Sequence, residues 1–146
     1  MGDGVVKRKQ NFQSFQSSKG GRFISIYFDM INSKAWQQLS GNSIKLYLYM
    51  LSKYNVKYVS NQIDYCNKDD ISVPKSEYSK LMSNHTFQKC IDELIDYGFI
   101  RVVKYKPITG ARKVIIYAFN NMWQKYGTKD FVIKDEWKRS NNKAYI

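Results

Sequence analysis

The stretch from Ser83 to Gly98 constrains the fold most, because it combines a capping residue, an apolar stripe and a terminating glycine. Ser83 can accept a hydrogen bond from the first turn of a helix, and Gly98 can adopt the left-handed conformation that ends one. Between them, one helical face is apolar and comprises Phe87, Cys90, Ile91, Leu94 and Ile95. The stretch therefore predicts an amphipathic helix whose apolar face lies in a hydrophobic core.

A shorter helix is predicted just before this one. Pro74 follows the β-branched residues 71–73, which we interpret as a short strand, and its fixed φ and missing N–H suit a first helical turn. We place this helix at about residues 75–82. Nearer the N-terminus we predict a strand over residues 23–28, a short helix capped by Ser33 and a buried helix ending near Tyr54. Residues 55–70 are interpreted as a polar connection.

After Gly98 come two β-rich runs, residues 99–106 and 112–119, separated by a loop that contains Gly110. This pattern predicts a β-hairpin. The expected fold is thus α+β, with three to four helices and a C-terminal hairpin. In a chain of 146 residues that is 43% hydrophobic, we expect one domain at residues 22–126. Residues 1–21 are predicted to form a flexible basic arm and residues 127–146 a tail.

The positive charge of the chain is unevenly distributed. There are 24 Lys and Arg against 12 Asp and Glu, a net charge of +12, yet residues 23–100 hold as many acids as bases. The hairpin segment, residues 101–113, has five bases and no acid, and the rest of the excess lies in the two ends of the chain. Such concentration indicates a surface that meets a polyanion. Solvated basic tails without a partner are the alternative.

Several function classes are excluded by residue types. The chain has one histidine, His85, and its two cysteines lack metal-site spacing, so we expect no metal site and no cofactor. Phosphate-binding loops and nucleophile elbows are also absent from the sequence, and we predict no enzymatic activity. No stretch approaches the roughly 18 consecutive apolar residues of a membrane span. We therefore expect a cytoplasmic protein without a membrane partner.

The run from Met82 to Ile100 resembles the S-x-x-T…L…GFI pattern of many bacterial winged helix-turn-helix proteins. With Ser33-x-Ala35, Leu39-Ser40-Gly41-Asn42 and Ile71-Ser72-Val73-Pro74, residues 22–126 resemble DNA-binding domains of replication and transfer proteins from Gram-positive mobile elements. Relaxosome accessory proteins of clostridial conjugative plasmids and the N-terminal domains of replication initiators are two similar groups.

This resemblance implies a double-stranded DNA target. Because the long extra domains usual in replication initiators are missing, we favour an accessory factor acting at an origin of transfer. A relaxase or another DNA-processing protein, and a second copy of the chain, are the further partners that this class implies. A transcriptional repressor, a replication-initiation factor and a winged-helix protein–protein adaptor are the alternatives that the sequence leaves open.

The predicted DNA contacts fall in three groups. The exposed face of the helix after Ser83 begins with side chains suited to base edges but continues with Asp92, Glu93 and Asp96, which phosphate would repel. We therefore expect few base contacts from the helix and most of the affinity from the hairpin. The predicted contact residues are Asn84, His85, Gln88 and Lys89 on the helix, Arg101, Lys104, Lys106, Thr109, Arg112 and Lys113 in the hairpin, and Lys7, Arg8 and Lys9 in the arm.

Overall fold

A computed structural model describes residues 15–107 and 113–138, with the backbone alone for residues 104–107 and 113. Within these ranges the fold is mixed α+β, with five α-helices, two antiparallel hairpins and two short 3-10 helices. The α-helices are α1 (Phe28–Ile31), α2 (Lys34–Gln37), α3 (Gly41–Ser52), α4 (Lys75–Tyr78) and α5 (Asn84–Asp96). The strands are β1 (Val56–Val59), β2 (Gln62–Cys66), β3 (Ile100–Pro107) and β4 (Lys113–Phe119), and the 3-10 helices span Met122–Lys125 and Asp135–Trp137.

Serine side chains begin three of the helices. Ser33, Ser40 and Ser83 each accept a hydrogen bond from the backbone N–H three residues ahead, at the starts of α2, α3 and α5. These bonds satisfy backbone donors that a first helical turn leaves unpaired. At the other end of α5, Gly98 has a φ of +84° and the N–H of Phe99 donates to the carbonyl of Leu94. The predicted helix between Ser83 and Gly98 is therefore confirmed.

The core lies between α3, α5 and the β3–β4 ribbon. The buried apolar face of α5 is the predicted one, and α3 adds Leu46, Tyr47 and Met50. Phe99, which is fully buried, makes ring contacts with Trp36, Tyr47 and Trp123. This aromatic cluster connects α2 and the 3-10 helix at Met122–Lys125 to the root of the ribbon.

The β3–β4 ribbon pairs antiparallel, as predicted, and gains a third element at Ile71. The N–H of Ile71 donates to the carbonyl of Tyr117 at 3.0 Å, and the N–H of Tyr117 donates back at 2.7 Å. The strand predicted over residues 71–73 is thus reduced to one bridge. The helix predicted at 75–82 is also shorter, because α4 ends at Tyr78 and a turn leads from there to Ser83.

The strand predicted over residues 23–28 is wrong. Residues 23–27 have no strand assigned, and α1 begins at Phe28. A β-prone segment forms a strand only when a neighbouring strand takes its backbone hydrogen bonds. Here the carbonyl of Tyr27 instead accepts hydrogen bonds from the N–H groups of Met30 and Ile31, which starts the helix.

The interpretation of residues 55–70 as a connection is also wrong, because they contain the β1–β2 hairpin. Its turn uses Ser60 and Asn61, whose φ angles of 51° and 64° both lie in the left-handed region. Two positive φ angles in succession are typical of the tightest hairpin turns. The sequence signal for this hairpin was the alternation of apolar and charged side chains in Val56 to Val59 before the turn and in Ile63 to Cys66 after it.

Residues 127–138, which were expected to belong to a tail, pack against the domain. Ile133 and Trp137 contact the hydrophobic core, and Phe131 makes an edge contact with Tyr126 at 5.3 Å between ring centroids. The folded unit therefore includes these residues. The predicted tail beyond residue 138 and the predicted arm up to residue 14 lie outside the described residues.

None of the helices in the described ranges is long and apolar enough to cross a lipid bilayer.

Candidate nucleic-acid interface

The turn between α4 and α5 is fixed by one aromatic side chain. The ring of Tyr78, the last residue of α4, stacks on Phe87 at 3.9 Å with an interplanar angle of 6°. Its hydroxyl donates a hydrogen bond to Oδ1 of Asn84 at 2.8 Å. Stacking and hydrogen bond together hold the first turn of α5 against α4, so the exposed N-terminal face of α5 has a defined orientation.

The four residues predicted on α5 share that face. Asn84, His85 and Lys89 are exposed, and Gln88 is half-buried. Their side chains carry amide, imidazole and ammonium groups, which can bind base edges or phosphate oxygens. Asn84 differs from the other three because its Oδ1 already accepts the hydroxyl of Tyr78.

Glu93 and Asp96 on α5 have partners within the chain. A carboxylate oxygen of Glu93 accepts a hydrogen bond from the backbone N–H of Ser40, the N-cap of α3. Asp96 pairs with Lys138 at 2.8 Å, and this hydrogen bond raises the pKa of Lys138. The charge of Glu93 is therefore directed towards the start of α3, and the charge of Asp96 is compensated by Lys138. The expected repulsion by these two acids is weaker than the sequence suggested.

A β-bulge at Val103 determines which face of the ribbon each base occupies. Val102 pairs with Tyr117 and Lys104 with the next residue back, Ile116, so Val103 is an extra residue in β3. Because side chains alternate along a strand, Arg101 and Lys104 would lie on opposite faces of a regular ribbon. The bulge shifts the phase, and the register puts Arg101, Lys104 and Lys106 on one face.

This basic face is the one opposite the core. Arg101, Lys104 and Lys106 pair with Ala118, Ile116 and Val114 of β4. The alternate residues Ile115 and Tyr117 belong to the main core cluster. Ile116 and Ala118 are also buried, but they lie outside that cluster. We call the face of Arg101, Lys104 and Lys106 the basic ribbon face. It is set by strand register, which the sequence pattern alone did not reveal.

Arg101 has one acidic neighbour. Its Nη2 lies 3.7 Å from Oδ1 of Asp69, and the two side chains are 36% and 56% exposed. An ion pair of this length in solvent contributes little to stability, because water screens it. Arg101 can therefore exchange Asp69 for a phosphate at small cost.

The remaining predicted contacts are only partly described. Lys113 begins β4, and its backbone pairs with that of Pro107. Thr109 and Arg112 lie outside the described residues, and so do Lys7, Arg8 and Lys9. The contribution of the hairpin loop and of the N-terminal arm stays a prediction.

Within the described ranges, no three His, Cys, Asp or Glu side chains lie close enough together to hold a metal ion.

Comparisons of this chain with protein-family models, with curated proteins and with solved structures found no match.

Proposed function

We propose that this chain is a winged helix-turn-helix protein that binds double-stranded DNA without catalysing a reaction. In this proposal α4 and α5 form the helix-turn-helix, α5 is the recognition helix and the β3–β4 ribbon is the wing. The order of α3, the Ile71 bridge, α4, α5 and the ribbon is compatible with such a layout. The observation that carries the proposal is the alignment of three bases on the basic ribbon face.

The electrostatic argument depends on where these bases lie. Bases spread over a surface raise solubility, whereas bases aligned on one face can neutralise neighbouring phosphates and release their counterions. Lys104 and Lys106 are two residues apart, about 6.6 Å along the strand. The described body between residues 23 and 100 has no net charge to compete with them. Most of the affinity is therefore assigned to the ribbon.

Sequence discrimination is assigned to the N-terminal half of α5. His85, Gln88 and Lys89 occupy the face that follows the fixed turn at Ser83. Hydrogen bonds from such side chains to base edges distinguish one sequence from another, whereas contacts with phosphates do not. The helix and the ribbon thus have separate tasks, which separate variants can test.

The biological role that we favour is an accessory factor that recognises DNA at or near an origin of transfer during conjugation. It rests on the resemblance of residues 22–126 to DNA-binding domains of replication and transfer proteins from Gram-positive mobile elements. A repressor or replication factor would use the same surface on a different site.

The test is a fluorescence-anisotropy titration of the full chain with the DNA that flanks its own gene, at about 100 mM salt, with an unrelated duplex as competitor. We expect one segment to bind at least about 1,000-fold more tightly than the unrelated duplex. Equal binding to every duplex would contradict the proposal and favour a protein–protein adaptor.

Variants of α5 sharpen this test. Replacing His85 and Gln88 with alanine should narrow the difference in binding free energy between the two duplexes, by about 1–3 kcal/mol for each base that the helix no longer recognises. Gln62→Ala is the matched control, because it removes an exposed amide from the β1–β2 hairpin. If the control and the α5 variant have the same effect, α5 does not discriminate sequence.

A further inference from the structure

A second surface of the molecule is apolar instead of basic. It lies at the C-terminal end of α3, between residues 23–27 and the β1–β2 hairpin. We call it the aromatic face, and it consists of Phe23, Ile24, Tyr27, Tyr54, Tyr58 and Ile63. Phe23 and Tyr27 are more than four-fifths exposed, and Tyr58 and Ile63 more than three-fifths. Large apolar side chains grouped in this way on a folded chain mark an interaction site.

The aromatic face is continuous. Phe23, Ile24 and Tyr27 line a groove of about 650 Å³ together with Leu51 and Tyr54 at the end of α3. Tyr54 continues it to the hairpin, because its hydroxyl oxygen accepts a hydrogen bond from Sγ of Cys66 at 3.7 Å.

In the hairpin, register extends the same face. Val56 pairs with Cys66 beside Tyr54, and Tyr58 pairs with Ile63 further along. Residues that pair directly, and those two apart on one strand, share a face of the hairpin. The register shifts between Lys57 and Tyr58, where β2 has one extra residue, Asp64. Because of this shift, Tyr58 and Ile63 lie on the same face of the hairpin as Val56 and Cys66.

The β1–β2 hairpin lacks support from the described part of its own chain. Both of its strands are exposed along most of their length, and its own two strands make up the whole of its sheet. An isolated two-stranded hairpin is marginally stable in water unless one face packs on something else. The exposed apolar side of this hairpin therefore fits a surface that another chain covers.

The size of the aromatic face matches a protein interface. If each large apolar side chain offers about 200 Å², the exposed fractions of its six residues amount to roughly 700 Å². A stable pair of proteins buries about 800 Å² on each partner, whereas the largest apolar patch of a typical monomer is about 300–600 Å². One partner of the size of this chain can thus cover the whole face.

Charge favours a second copy as that partner. The hairpin carries one base, Lys57, and one acid, Asp64, which are neighbours at its irregular step. In a two-fold contact the same surface meets itself, so Lys57 of each copy can approach Asp64 of the other. The groove adds one charge, Arg22, whose Nη2 donates to the carbonyl of Ser52 at 3.5 Å. With one net charge beside six large apolar side chains, the aromatic face gives a polyanion little to bind and an acidic partner little preference over an identical chain.

We propose that the aromatic face is the interface of a homodimer, with the β1–β2 hairpins and the grooves at residues 23–27 packed across a two-fold axis. This inference is independent of DNA binding. The wing tip is remote from the aromatic face, because Phe119, which contacts Tyr54 at 5.8 Å, is six residues and about 20 Å along β4 from Lys113. The wing tips therefore lie away from the dimer interface.

The experiment is sedimentation equilibrium of the full chain without DNA over a range of micromolar concentrations. We expect a reversible transition from the monomer mass of 17.2 kDa to twice that mass. Tyr58→Asp should raise the dissociation constant by about tenfold or more, because it buries a charge in the interface. Phe23→Asp, at the other end of the aromatic face, should have the same effect.

Val132→Asp is the matched control, since Val132 is 56% exposed and lies outside the aromatic face. It should leave the dissociation constant unchanged. Circular dichroism melts of all three variants check that the monomer fold is intact. A wild-type chain that stays monomeric at every concentration would overturn the proposal. So would a dimer that survives both Tyr58→Asp and Phe23→Asp in folded protein.

Discussion

The two β-hairpins of this chain have similar local structure and opposite surroundings. Both β1–β2 and β3–β4 are antiparallel pairs with one irregular step in their register. The inner face of β3–β4 packs on α5 and the rest of the core through Val102, Ile115 and Tyr117, whereas β1–β2 is exposed on both faces. The outer face of β3–β4 is basic, and β1–β2 has one base and one acid.

This difference shows that strand pairing alone does not assign a role to a hairpin. What distinguishes the two is which side chains the register puts on each face and what covers them. A supported ribbon with bases on its outer face suits a polyanion, because the core holds the strands that carry the bases. An unsupported hairpin with aromatic side chains suits a protein surface, because burial there stabilises both partners.

The largest expected effect tests the support of the two hairpins. Ile115→Ala should lower the free energy of unfolding by about 2–5 kcal/mol, because it leaves a cavity under the ribbon. Ile63→Ala, the same change on the exposed hairpin, should cost less than about 0.5 kcal/mol at dilutions where the chain is monomeric. Urea denaturation measures both. Similar costs would mean that β1–β2 is packed in solution.

A smaller effect concerns two polar networks near the end of α3, which we call anchors. The first joins α3 to α4: Glu77 accepts hydrogen bonds from Lys53 at 2.7 Å and from Tyr49 at 2.6 Å, and Lys53 also binds the carbonyl of Ser72. At the base of β1–β2, Asn67 joins the segment that leaves the hairpin to the segment that enters it. Its Oδ1 accepts a hydrogen bond from the N–H of Asn55, and its Nδ2 donates one to the carbonyl of Lys53. The first anchor is ionic and the second is neutral.

The two anchors therefore differ in pH dependence. Burial tends to raise the pKa of Glu77, but the hydrogen bonds from Lys53 and Tyr49 outweigh it and lower the pKa below 4.5. A lowered pKa stabilises the fold above the unfolded value, and the gain is lost as the pH falls through the folded value. Glu77→Gln should cost about 1 kcal/mol at neutral pH and nothing in strong acid.

Asn67→Ala is the neutral counterpart and should cost a similar amount at every pH, because amide hydrogen bonds do not titrate. Urea denaturation across the acid range compares the two variants. A Glu77→Gln cost that stays constant through that range would show that the ion pair does not form in solution.

The smallest effect tests whether the basic ribbon face is free to bind. Asp69→Asn removes the acidic neighbour of Arg101 and should change the free energy of unfolding by less than about 0.5 kcal/mol. The affinity for duplex DNA should rise, by no more than about fivefold, because one repelling charge is removed. A large decrease in the free energy of unfolding would instead show that Arg101 stabilises the monomer through Asp69 and is not available to bind DNA.

Sequence analysis succeeded where local chemistry decides the structure. The α5 helix has its cap, its apolar stripe and its terminal glycine within 16 residues, so its prediction needed no knowledge of distant contacts. It failed where pairing decides. Residues 23–27 have strong β propensity but no strand beside them, and the β1–β2 hairpin forms around Ser60-Asn61, a weaker turn signal than Asn-Gly.

The candidate site divides in the same way. The side chains on the exposed face of α5 follow from helical periodicity and were predicted. The alignment of Arg101 with Lys104 depends on a bulge, which only the pairing of β3 with β4 reveals. The partners of Glu93 and Asp96 lie at Ser40 and Lys138, far away in sequence, so no local pattern could show that these acids are compensated.

The central claim is that the position of charge on the ribbon, and not the total charge, binds DNA. The most direct test compares two double variants that each remove two positive charges, Lys104→Ala with Lys106→Ala and, as the control, Lys125→Ala with Lys129→Ala, which are exposed and lie outside both proposed surfaces. We expect the first pair to lower the slope of log affinity against log salt by about 1.8 and the second to leave it unchanged. Equal slopes for the two pairs would contradict the account.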